Sequence, residues 1–279
     1  MAFALKNNDP ITPILRWAGG KQQILKKLAV FLPSDVRERR YFEPFAGAAS
    51  LFLAIKPHSG YLADANRLLI NCYECVRNNP ELLNKYLQQH LRNNSEKYYY
   101  QIRTLFNETQ NISAAQAARF IYLNKACFNG IYRVNQKGEF NVPYGHKEPP
   151  AIPNRNTLLA VSAAFEQVEL TSGSYEETLG MAQKGDFVYL DPPYPPLNGT
   201  SYFTHYTPER FNHDDHDRLA EVFNELSDRG CLVMMSNADT PRIRKLFAKF
   251  HFNTLNVTRY ISCKSIKHQV KEIVVTNYE

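Results

Sequence analysis

Along most of this chain, short apolar runs alternate with longer stretches in which apolar residues recur at helical spacing. The apolar runs have the length and the β-branched and aromatic content of buried strands, and several end in a polar or turn-forming residue. The predicted strands are 40–45, 60–63, 168–171, 187–190, 231–236, 254–259 and 272–276. The helices predicted with them are 49–55, 66–77, 157–165, 176–183, 213–228 and 241–250. Strands that alternate with helices predict an α/β fold, with helices on both faces of a mostly parallel sheet.

This alternation stops in the middle of the chain. Between about residues 80 and 127, three helical stretches follow one another with no strand between them. Residues 132–142 then alternate like a β-hairpin around Gln136-Lys137-Gly138. A proline-rich, turn-like segment follows at 143–153. A mainly helical segment that carries a hairpin therefore interrupts the sheet pattern.

These patterns predict a discontinuous sheet domain, residues 1–66 and 157–279, with residues 67–156 inserted into it. The 279-residue chain has a formal net charge of +6, and the stretch 84–155 accounts for all of it, with ten Lys/Arg, four Glu and no Asp. Tyr, Phe and Asn are also frequent in this stretch. Basic residues interleaved with aromatics are typical of a surface that contacts nucleic-acid phosphates, although a solvated helical face has a similar composition.

The overall composition is that of a globular protein, with 44% hydrophobic and 22% charged residues. The five cysteines are odd in number and scattered, which predicts reduced thiols rather than a disulfide framework. No apolar run is long enough to span a bilayer, and the first ten residues contain no signal-peptide core. We therefore expect a cytoplasmic protein with no membrane association and no obligate protein partner.

The clearest chemical signal is Asp191-Pro192-Pro193-Tyr194, which directly follows the predicted strand 187–190. Neither proline can continue a sheet ladder and each fixes its own φ, so a carboxylate and an aromatic ring are held on a stiff backbone. Open α/β sheets bind ligands at this end of a strand. The carboxylate and the Pro192 carbonyl can accept both hydrogens of an exocyclic amine while the tyrosine stacks on its ring, which suits adenine or cytosine. The alternative is a proline turn beside an incidental aspartate.

A second signal indicates a nucleoside pocket. The run FAGAAS from Phe45 follows a predicted strand and opens a helix, where small residues and free N–H groups let a ligand approach the backbone. Asp64 ends the next strand, 19 residues after Phe45, at a spacing suited to ribose hydroxyls. The G-x-G-x-x-G run of NAD-binding proteins is absent. The run WAGGK from Trp17 lacks the spacing of a P-loop, and by itself it is more typical of a core tryptophan in a turn.

In their order and spacing, these motifs are similar to those of the Dam/DpnM-type DNA adenine-N6 methyltransferases. The matching motifs are WAGGK from Trp17, FEPFAG from Phe42, Asp64, NKACFNGIYRVNQKGEFNVPYG from Asn124 and DPPY from Asp191. The resemblance runs from about residue 15 to residue 278 and is specific, because several independent short motifs agree. It implies a Rossmann-like methyltransferase sheet with an inserted, mainly helical DNA-recognition domain. It also implies S-adenosylmethionine (S-adenosyl-L-methionine) as cofactor and GATC sites in double-stranded DNA as substrate.

The resemblance further implies roles for individual residues. The residues implied at the cofactor are Trp17, Lys21, Glu43, Phe45, Gly47, Asp64 and Asp191. The residues implied as the catalytic motif facing the target amine are Asp191, Pro192, Pro193 and Tyr194. The residues implied at the DNA are Arg16, Phe128, Asn129, Ile131, Arg133 and Pro143. Arg133 and Arg16 match positions that contact the two guanines, and Phe128 matches a residue that wedges beside base pairs.

The chain departs from the family pattern at two places. The second glycine of the family's Phe-x-Gly-x-Gly is Ala49 in this sequence. The Asp-Phe that often follows the strand near Val168 is replaced by Ser174-Tyr175. A serine can still bond the cofactor's adenine and a tyrosine can still stack on it, so both residues are kept as cofactor-binding candidates.

We therefore predict direct methyl transfer to N6 of an adenine flipped out of the duplex. One alternative is transfer to N4 of cytosine or to RNA, which needs the same amine chemistry. Another is a catalytically inactive DNA-binding protein on the same fold. The sequence is compatible both with an orphan enzyme and with one that accompanies a cognate restriction endonuclease. The run HDDHD from His213 fits the start of a capped helix, and no metal is expected.

Overall fold

The computed structural model describes residues 3, 5, 11–109, 111–146, 148–194, 211–260 and 267–279. Its strands are β1 (Arg40–Glu43), β2 (Ser59–Asp64), β3 (Val168–Ser172), β4 (Phe187–Leu190), β5 (Leu232–Ala238), β6 (His251–Tyr260) and β7 (Lys267–Thr276). They form one sheet in the order β3-β2-β1-β4-β5-β7-β6. The strands from β3 to β5 in this order are parallel, whereas β7 runs antiparallel to both β5 and β6. This confirms the predicted α/β fold with a Rossmann-like methyltransferase sheet.

The described part of the chain also contains ten α-helices. They are α1 (Leu25–Ala29), α2 (Ser50–Ile55), α3 (Arg67–Asn78), α4 (Pro80–Arg92), α5 (Glu96–Thr109), α6 (Ala114–Ala126), α7 (Arg155–Ala164), α8 (Tyr175–Gly180), α9 (His213–Asp228) and α10 (Pro241–Leu246). Asn66, Ser113 and Asn154 start α3, α6 and α7, because each side chain accepts a backbone N–H of the first turn. None of the helices in these ranges is long and apolar enough to cross a bilayer.

Successive residues of the central strand β4 pack alternately into two separate hydrophobic cores. Phe187 and Tyr189 belong to the larger core on one face of the sheet. Val188 and Leu190 belong to the smaller core on the other face. All four residues are buried, because helices cover both faces of a parallel strand at the middle of the sheet. This is why 187–190 is continuously apolar rather than alternating.

Between β2 and β3, the chain forms a helical segment that packs onto the sheet. Helix α6 lies at its centre and contacts α3, α4 and α5. Its residues Ala117, Ala118 and Ile121 are fully buried. Helix α3 contacts β2 and β3 as well as α6, and the apolar core of the segment is continuous with the larger sheet core. Apolar packing therefore fixes the helical segment against the sheet.

The hairpin predicted after α6 is present, as two isolated antiparallel bridges rather than a continuous ladder. Val134 pairs with Phe140, and Cys127 pairs with Tyr144. A backbone hydrogen bond of 2.9 Å joins the first and last residues of the turn 135–139. The hairpin packs against α5, because the Tyr99 hydroxyl donates to the Val142 carbonyl at 2.9 Å and the Asn107 side-chain amide donates to the Phe140 carbonyl at 3.0 Å.

Several element boundaries differ from those predicted. A 3₁₀ turn at Gln22–Ile24 and the five-residue α1 were not predicted, since neither is long enough to show a helical period. Helix α10 ends at Leu246, short of the predicted boundary. It ends there because Phe247 and Phe250 both pack on Phe223, with ring centroids 5.3 and 4.5 Å away. Strands β6 and β7 have ten residues each, longer than expected, because they continue as an antiparallel pair.

Candidate active site

Three parallel strands bring polar residues to the same edge of the sheet. β1 ends at Glu43, β2 ends at Asp64, and Asp191 directly follows β4. β1 lies between β2 and β4, so the C-terminal ends of these strands are side by side. Lys21 reaches the same edge from the N-terminal segment. The structure therefore brings together four of the residues implied at the cofactor, at the edge where open α/β sheets bind ligands.

The carboxylate of Asp191 is held from two sides. Its Oδ2 accepts a 2.6 Å hydrogen bond from Lys21 Nζ, and its Oδ1 accepts a 2.8 Å hydrogen bond from Ser236 Oγ. The Asp191 side chain is 18% exposed. Burial raises the pKa of Asp191, while the Lys21 charge and both hydrogen bonds oppose that rise. A carboxylate offers about four acceptor positions, so Asp191 can still accept from a ligand amine.

Lys21 joins the WAGGK run to the DPPY motif. Its ammonium, besides pairing with Asp191, donates to the Gly19 carbonyl at 2.7 Å and lies 5.0 Å from the centre of the Tyr194 ring. Lys21 is only 4% exposed, and a buried ammonium requires a partner of opposite charge. Its contacts therefore place Lys21 at the Asp191 carboxylate, in addition to the cofactor-lining role that the sequence predicted.

Glu43 is a second buried carboxyl group at this edge. It is 3% exposed, and its Oε2 accepts a 2.9 Å hydrogen bond from the Tyr41 hydroxyl. Burial raises the pKa of Glu43 to about 8; the charge of Asp191 adds to the rise, and the Tyr41 bond and Lys21 oppose it. At neutral pH the group is therefore mostly protonated, and a cation bound beside it would favour the ionised form.

Gly47 lies directly beneath the indole of Trp17. A Cβ on Gly47 would come within 2.8 Å of the Trp17 Cδ1 atom, and the residue has a positive φ of 47°. Its N–H donates to Asp64 Oδ2 at 3.0 Å, and the Asn66 N–H donates to Oδ1 at 2.9 Å. Only glycine fits this position, so the backbone, the indole and the Asp64 carboxylate form one cradle.

Three aromatic rings form a wall beside this cradle. Phe45 lies 5.3 Å from Tyr175 and 5.9 Å from Phe211, measured between ring centroids. Ser174 caps α8, because its side chain accepts the Glu176 N–H at 3.1 Å. The two residues that depart from the family pattern thus have defined places, with Tyr175 in the wall and Ser174 at the helix start.

Trp17 also contacts the inserted segment. Its ring stacks on Tyr132, with centroids 5.2 Å apart and an interplanar angle of 14°, and lies 6.3 Å from Phe120. Tyr132 belongs to the first arm of the hairpin, and Phe120 belongs to α6. The tryptophan above Gly47 is therefore packed against the segment that carries the residues implied at DNA.

The hairpin presents the implied DNA-contacting residues on its solvent side. Its buried residues are Tyr132, Val134, Phe140, Val142 and Tyr144, each at most 6% exposed. Arg133 and Pro143 lie between them in sequence and are exposed, as alternation along an extended chain requires. Arg133 Nε donates to Asn141 Oδ1 at 2.8 Å. Phe128 starts the 3₁₀ turn Phe128–Gly130 after α6 and is 41% exposed, although it is a large apolar residue.

Arg16 meets the inserted segment in a cleft of about 260 Å³ that Asn129 and Ile131 also line. The Arg16 N–H and carbonyl form hydrogen bonds of 2.8 Å with the side-chain amide of the buried Asn124. A Cβ on Gly130 would come within 2.4 Å of Arg16 Cδ. The structure therefore places Arg16 beside Asn129 and Ile131. It shows no contact between Arg16 and Arg133 among the described residues.

The HDDHD run begins α9, as expected for a capped helix. Asn212 and Asp215 form a capping box, and Asp217 pairs with Arg242 at 2.6 Å. Across the described ranges, no group of three or more His, Cys, Asp or Glu side chains is arranged to hold a metal ion.

The structure also brings to this edge two polar residues that the sequence did not indicate. Ser236 on β5 contacts Asp191, and Glu272 on β7 accepts a 3.0 Å hydrogen bond from the Tyr194 hydroxyl. Glu272 is 1% exposed, and so is Ser236. The sequence offered one signal for both, since each is a polar residue in a largely apolar strand. Only the order of the strands in the sheet shows which residues they contact.

Comparisons with known proteins show which family the chain resembles in sequence. Residues 17–261 match the family model described as D12 class N6 adenine-specific DNA methyltransferase. The chain is 38% identical over 284 residues to the type II methyltransferase M1.LlaDCHI of Lactococcus lactis subsp. cremoris, covering 100% of this chain and 99% of that protein. It is 38% identical over 287 residues to the type II methyltransferase M.MjaIII of Methanocaldococcus jannaschii, with coverage of 96% and 99%. It is 35% identical over 254 residues to a DNA adenine methylase of Vibrio cholerae, with coverage of 89% of each chain.

The structure generates a prediction at Ala49, where the family pattern has glycine. Ala49 precedes α2 with φ 51° and ψ 35°, in the left-handed region that costs an alanine about 1–2 kcal/mol. Ala49→Gly relieves this strain but removes a fully buried methyl group, so the free energy of unfolding, measured by urea denaturation, is expected to stay within about 1 kcal/mol of wild type. The matched control is Ala54→Gly inside α2, which removes an equally buried methyl group with no strain to relieve and should lower the free energy of unfolding by about 1–2 kcal/mol. Equal destabilisation by both substitutions would contradict the prediction.

Proposed function

The chain belongs to the D12 class of N6 adenine-specific DNA methyltransferases, and we propose that it methylates adenine N6 within GATC in double-stranded DNA. S-adenosylmethionine is the proposed methyl donor, and the target base is flipped out of the duplex. The observation that carries this proposal is the Asp191 carboxylate, held by Lys21 and Ser236 beside Tyr194 at the carboxyl edge of the sheet.

The residues at this edge fit S-adenosylmethionine. The absence of a side chain at Gly47 lets the Trp17 indole lie against the backbone, where a Cβ would come within 2.8 Å of the ring. Asp64 accepts two backbone N–H bonds and has acceptor capacity left for ribose hydroxyls. Phe45 and Tyr175 offer a wall for an adenine ring. When bound, the cofactor supplies a methyl group on an electrophilic sulfonium.

The protein's part in the reaction is to orient the amine and to stabilise the positive charge that develops on it. The Asp191 carboxylate and the Pro192 carbonyl would accept the two N6 hydrogens, which favours a nitrogen with an available lone pair. No strong base is needed, because the amine proton becomes acidic only as the methyl group is transferred. The buried carboxyl groups of Glu43 and Glu272 lie close enough to Asp191 to influence its electrostatics.

Tyr194 is placed to stack on the flipped base. Its hydroxyl is bonded to Glu272, and its ring lies over the Lys21 ammonium. Adenine N6 cannot be reached inside a duplex, so the base must leave the stack at a cost of a few kcal/mol. Stacking on an aromatic ring returns about 1–3 kcal/mol. The exposed Phe128 would wedge beside the base pairs where the adenine leaves.

Recognition of the site is assigned to residues 67–156, inserted between the two parts of the catalytic domain, 1–66 and 157–279. Arg133 is exposed on the hairpin. A bidentate hydrogen bond from arginine to O6 and N7 of guanine is the commonest specific contact to a base. Arg16 is proposed to contact the other guanine, because it shares a cleft with Asn129 and Ile131.

Two of the relatives are named type II methyltransferases, which supports a place in a restriction–modification system beside a cognate endonuclease. The alternative is an enzyme that acts without a cognate nuclease; the relative from Vibrio cholerae is named only a DNA adenine methylase. Both roles use the same reaction. They differ in whether a nuclease that recognises the same site accompanies the protein.

Methyl transfer from labelled S-adenosylmethionine to two duplexes tests the proposal. One duplex contains GATC and the other differs from it at a single base of the site. We expect transfer only to the first, with the label recovered as N6-methyladenine. Equal transfer to both duplexes would remove the GATC assignment, and transfer to neither would contradict the proposed substrate.

Asp191→Ala should lower the methylation rate by at least about 10²- to 10³-fold, because it removes an acceptor aimed at the developing charge. DNA affinity, measured by gel shift, should change little. The control is Asp35→Ala, which removes an exposed carboxylate paired with Arg39 ahead of β1 and should leave the rate unchanged. A near-normal rate in Asp191→Ala would refute the assigned role.

Arg133→Ala should relax specificity at one base pair by about 1–3 kcal/mol, measured as relative methylation rates on single-base variants of GATC. Lys137→Ala, on the exposed turn of the same hairpin, is the control and should not alter the preference. A uniform loss on all sequences in Arg133→Ala would instead identify a phosphate contact.

A further inference from the structure

Asp191 receives a hydrogen bond from a residue that no sequence motif indicated. Ser236 lies in β5, the strand beside β4, and is 1% exposed. Leu190 pairs with Met235, so Asp191 and Ser236 are neighbours one residue further along. The Ser236 hydroxyl is 2.8 Å from Asp191 Oδ1 and 2.8 Å from the hydroxyl of Tyr189.

The direction of both hydrogen bonds follows from the hydrogens available. A serine hydroxyl has one hydrogen to donate, and an ionised carboxylate can only accept. Ser236 therefore donates to Asp191, and Tyr189 donates to Ser236. Tyr189 and Asp191 lie two residues apart and face the same side of the sheet, so one serine can contact both. Hydrogen bonds that run in one direction strengthen one another, and this row of hydrogen bonds from Tyr189 through Ser236 ends on the Asp191 carboxylate.

We propose that Ser236 is a positioning residue for methyl transfer, which turns the Asp191 carboxylate toward the amine of the target base and is itself held by Tyr189. This proposal rests on the proposed function, in which Asp191 accepts a hydrogen of that amine. Ser236 acts through Asp191 and has no contact of its own with the reacting atoms.

The prolines of the motif cannot orient the carboxylate by themselves. Pro192 and Pro193 fix the backbone that follows Asp191, but the carboxylate plane still turns about the side-chain torsions. Lys21 fixes one oxygen and Ser236 fixes the other, and together they define the plane. Without the serine hydroxyl the ion pair would remain, but the carboxylate could rotate about it. A displacement of about 1 Å at a reacting group can cost about 10²-fold in rate.

Ser236 also influences the charge on Asp191. Burial and the nearby Glu272 raise the pKa of Asp191, whereas the contacts with Lys21 and Ser236 lower it. The other titratable groups that face this position are Tyr41, Glu43, Tyr189 and Tyr194. Removing the Ser236 hydroxyl takes away a donor to the ionised form, so the pKa of Asp191 should rise. The acidic limb of the rate profile should then move to higher pH.

The test compares Ser236→Ala with Ser236→Thr in single-turnover methylation of a GATC duplex by the full chain. Ser236→Ala should lower the rate by about tenfold to a hundredfold and move the acidic limb to higher pH. Ser236→Thr keeps the hydroxyl and should restore most of the methylation rate. It should also return the acidic limb of the pH–rate profile to its wild-type position. The affinities for DNA and for S-adenosylmethionine should stay within about twofold of wild type. Trp17 is the only tryptophan in the chain, so its fluorescence reports cofactor binding.

Tyr189→Phe provides an independent variant that leaves Ser236 in place. It removes the donor behind the serine and should slow methylation in the same direction by a smaller factor. Because the two hydroxyls act in series, the variant carrying both Tyr189→Phe and Ser236→Ala should be no slower than Ser236→Ala alone. If the rate loss in the double variant equalled the product of the two single losses, the two hydroxyls would act independently, which would contradict the proposal that Tyr189 acts through Ser236.

The proposal would be overturned if Ser236→Ala kept the wild-type methylation rate and the wild-type acidic limb of the pH–rate profile. It would also be overturned if Ser236→Thr were as slow as Ser236→Ala. A slower rate with matching losses of cofactor affinity and thermal stability would assign Ser236 a purely structural role. If Ser236→Ala does not fold, the proposal is overturned when Tyr189→Phe leaves both the methylation rate and the acidic limb of the pH–rate profile unchanged. Failure of the proposed function is separate, because the wild-type chain would then transfer no methyl group to adenine or Asp191→Ala would remain active.

Discussion

The buried carboxylate of Asp191 is the constraint on which the rest of the site depends. A charge taken out of water must be paired and hydrogen-bonded, or it is lost to protonation. Lys21 supplies the opposite charge and Ser236 supplies a neutral donor, and these contacts come from separate parts of the chain. Strand β4, the N-terminal WAGGK run and β5 must therefore all be in place for the Asp191 carboxylate to be both paired and hydrogen-bonded.

The same constraint gives the site its rigidity. The prolines after Asp191 stiffen the backbone, and the neighbouring strands β5 and β7 hold the side chains of Asp191 and Tyr194. Buried hydrogen-bond networks of this kind fix a single geometry when all their members are satisfied. A reaction that depends mainly on orienting an amine benefits from such rigidity, because it reduces the reorganisation needed as the methyl group moves.

Trp17 links this rigid centre to the segment proposed to read DNA. Its indole lies over Gly47 on one side and stacks on Tyr132 of the hairpin on the other. Asn124 at the end of α6 holds the backbone of Arg16, the residue just before the tryptophan. The cradle formed by Gly47, Trp17 and Asp64 is therefore packed against the hairpin, and the exposed Arg133 is carried on a fixed support.

The sequence by itself determined the alternation of strands and helices, the helical stretch between β2 and β3, and the motifs that follow three strands. These are local properties, since hydrophobic period, proline stiffness and small residues before a helix act within a few positions. The pairing of Lys21 with Asp191, the support of Asp191 by Ser236 and the packing of Trp17 on Tyr132 could not be read in this way. Each joins residues far apart in the chain, and only the strand order and the packing of the insertion bring them into contact. The left-handed backbone at Ala49 was hidden for the same reason, because the tertiary structure imposes a conformation that alanine does not itself prefer.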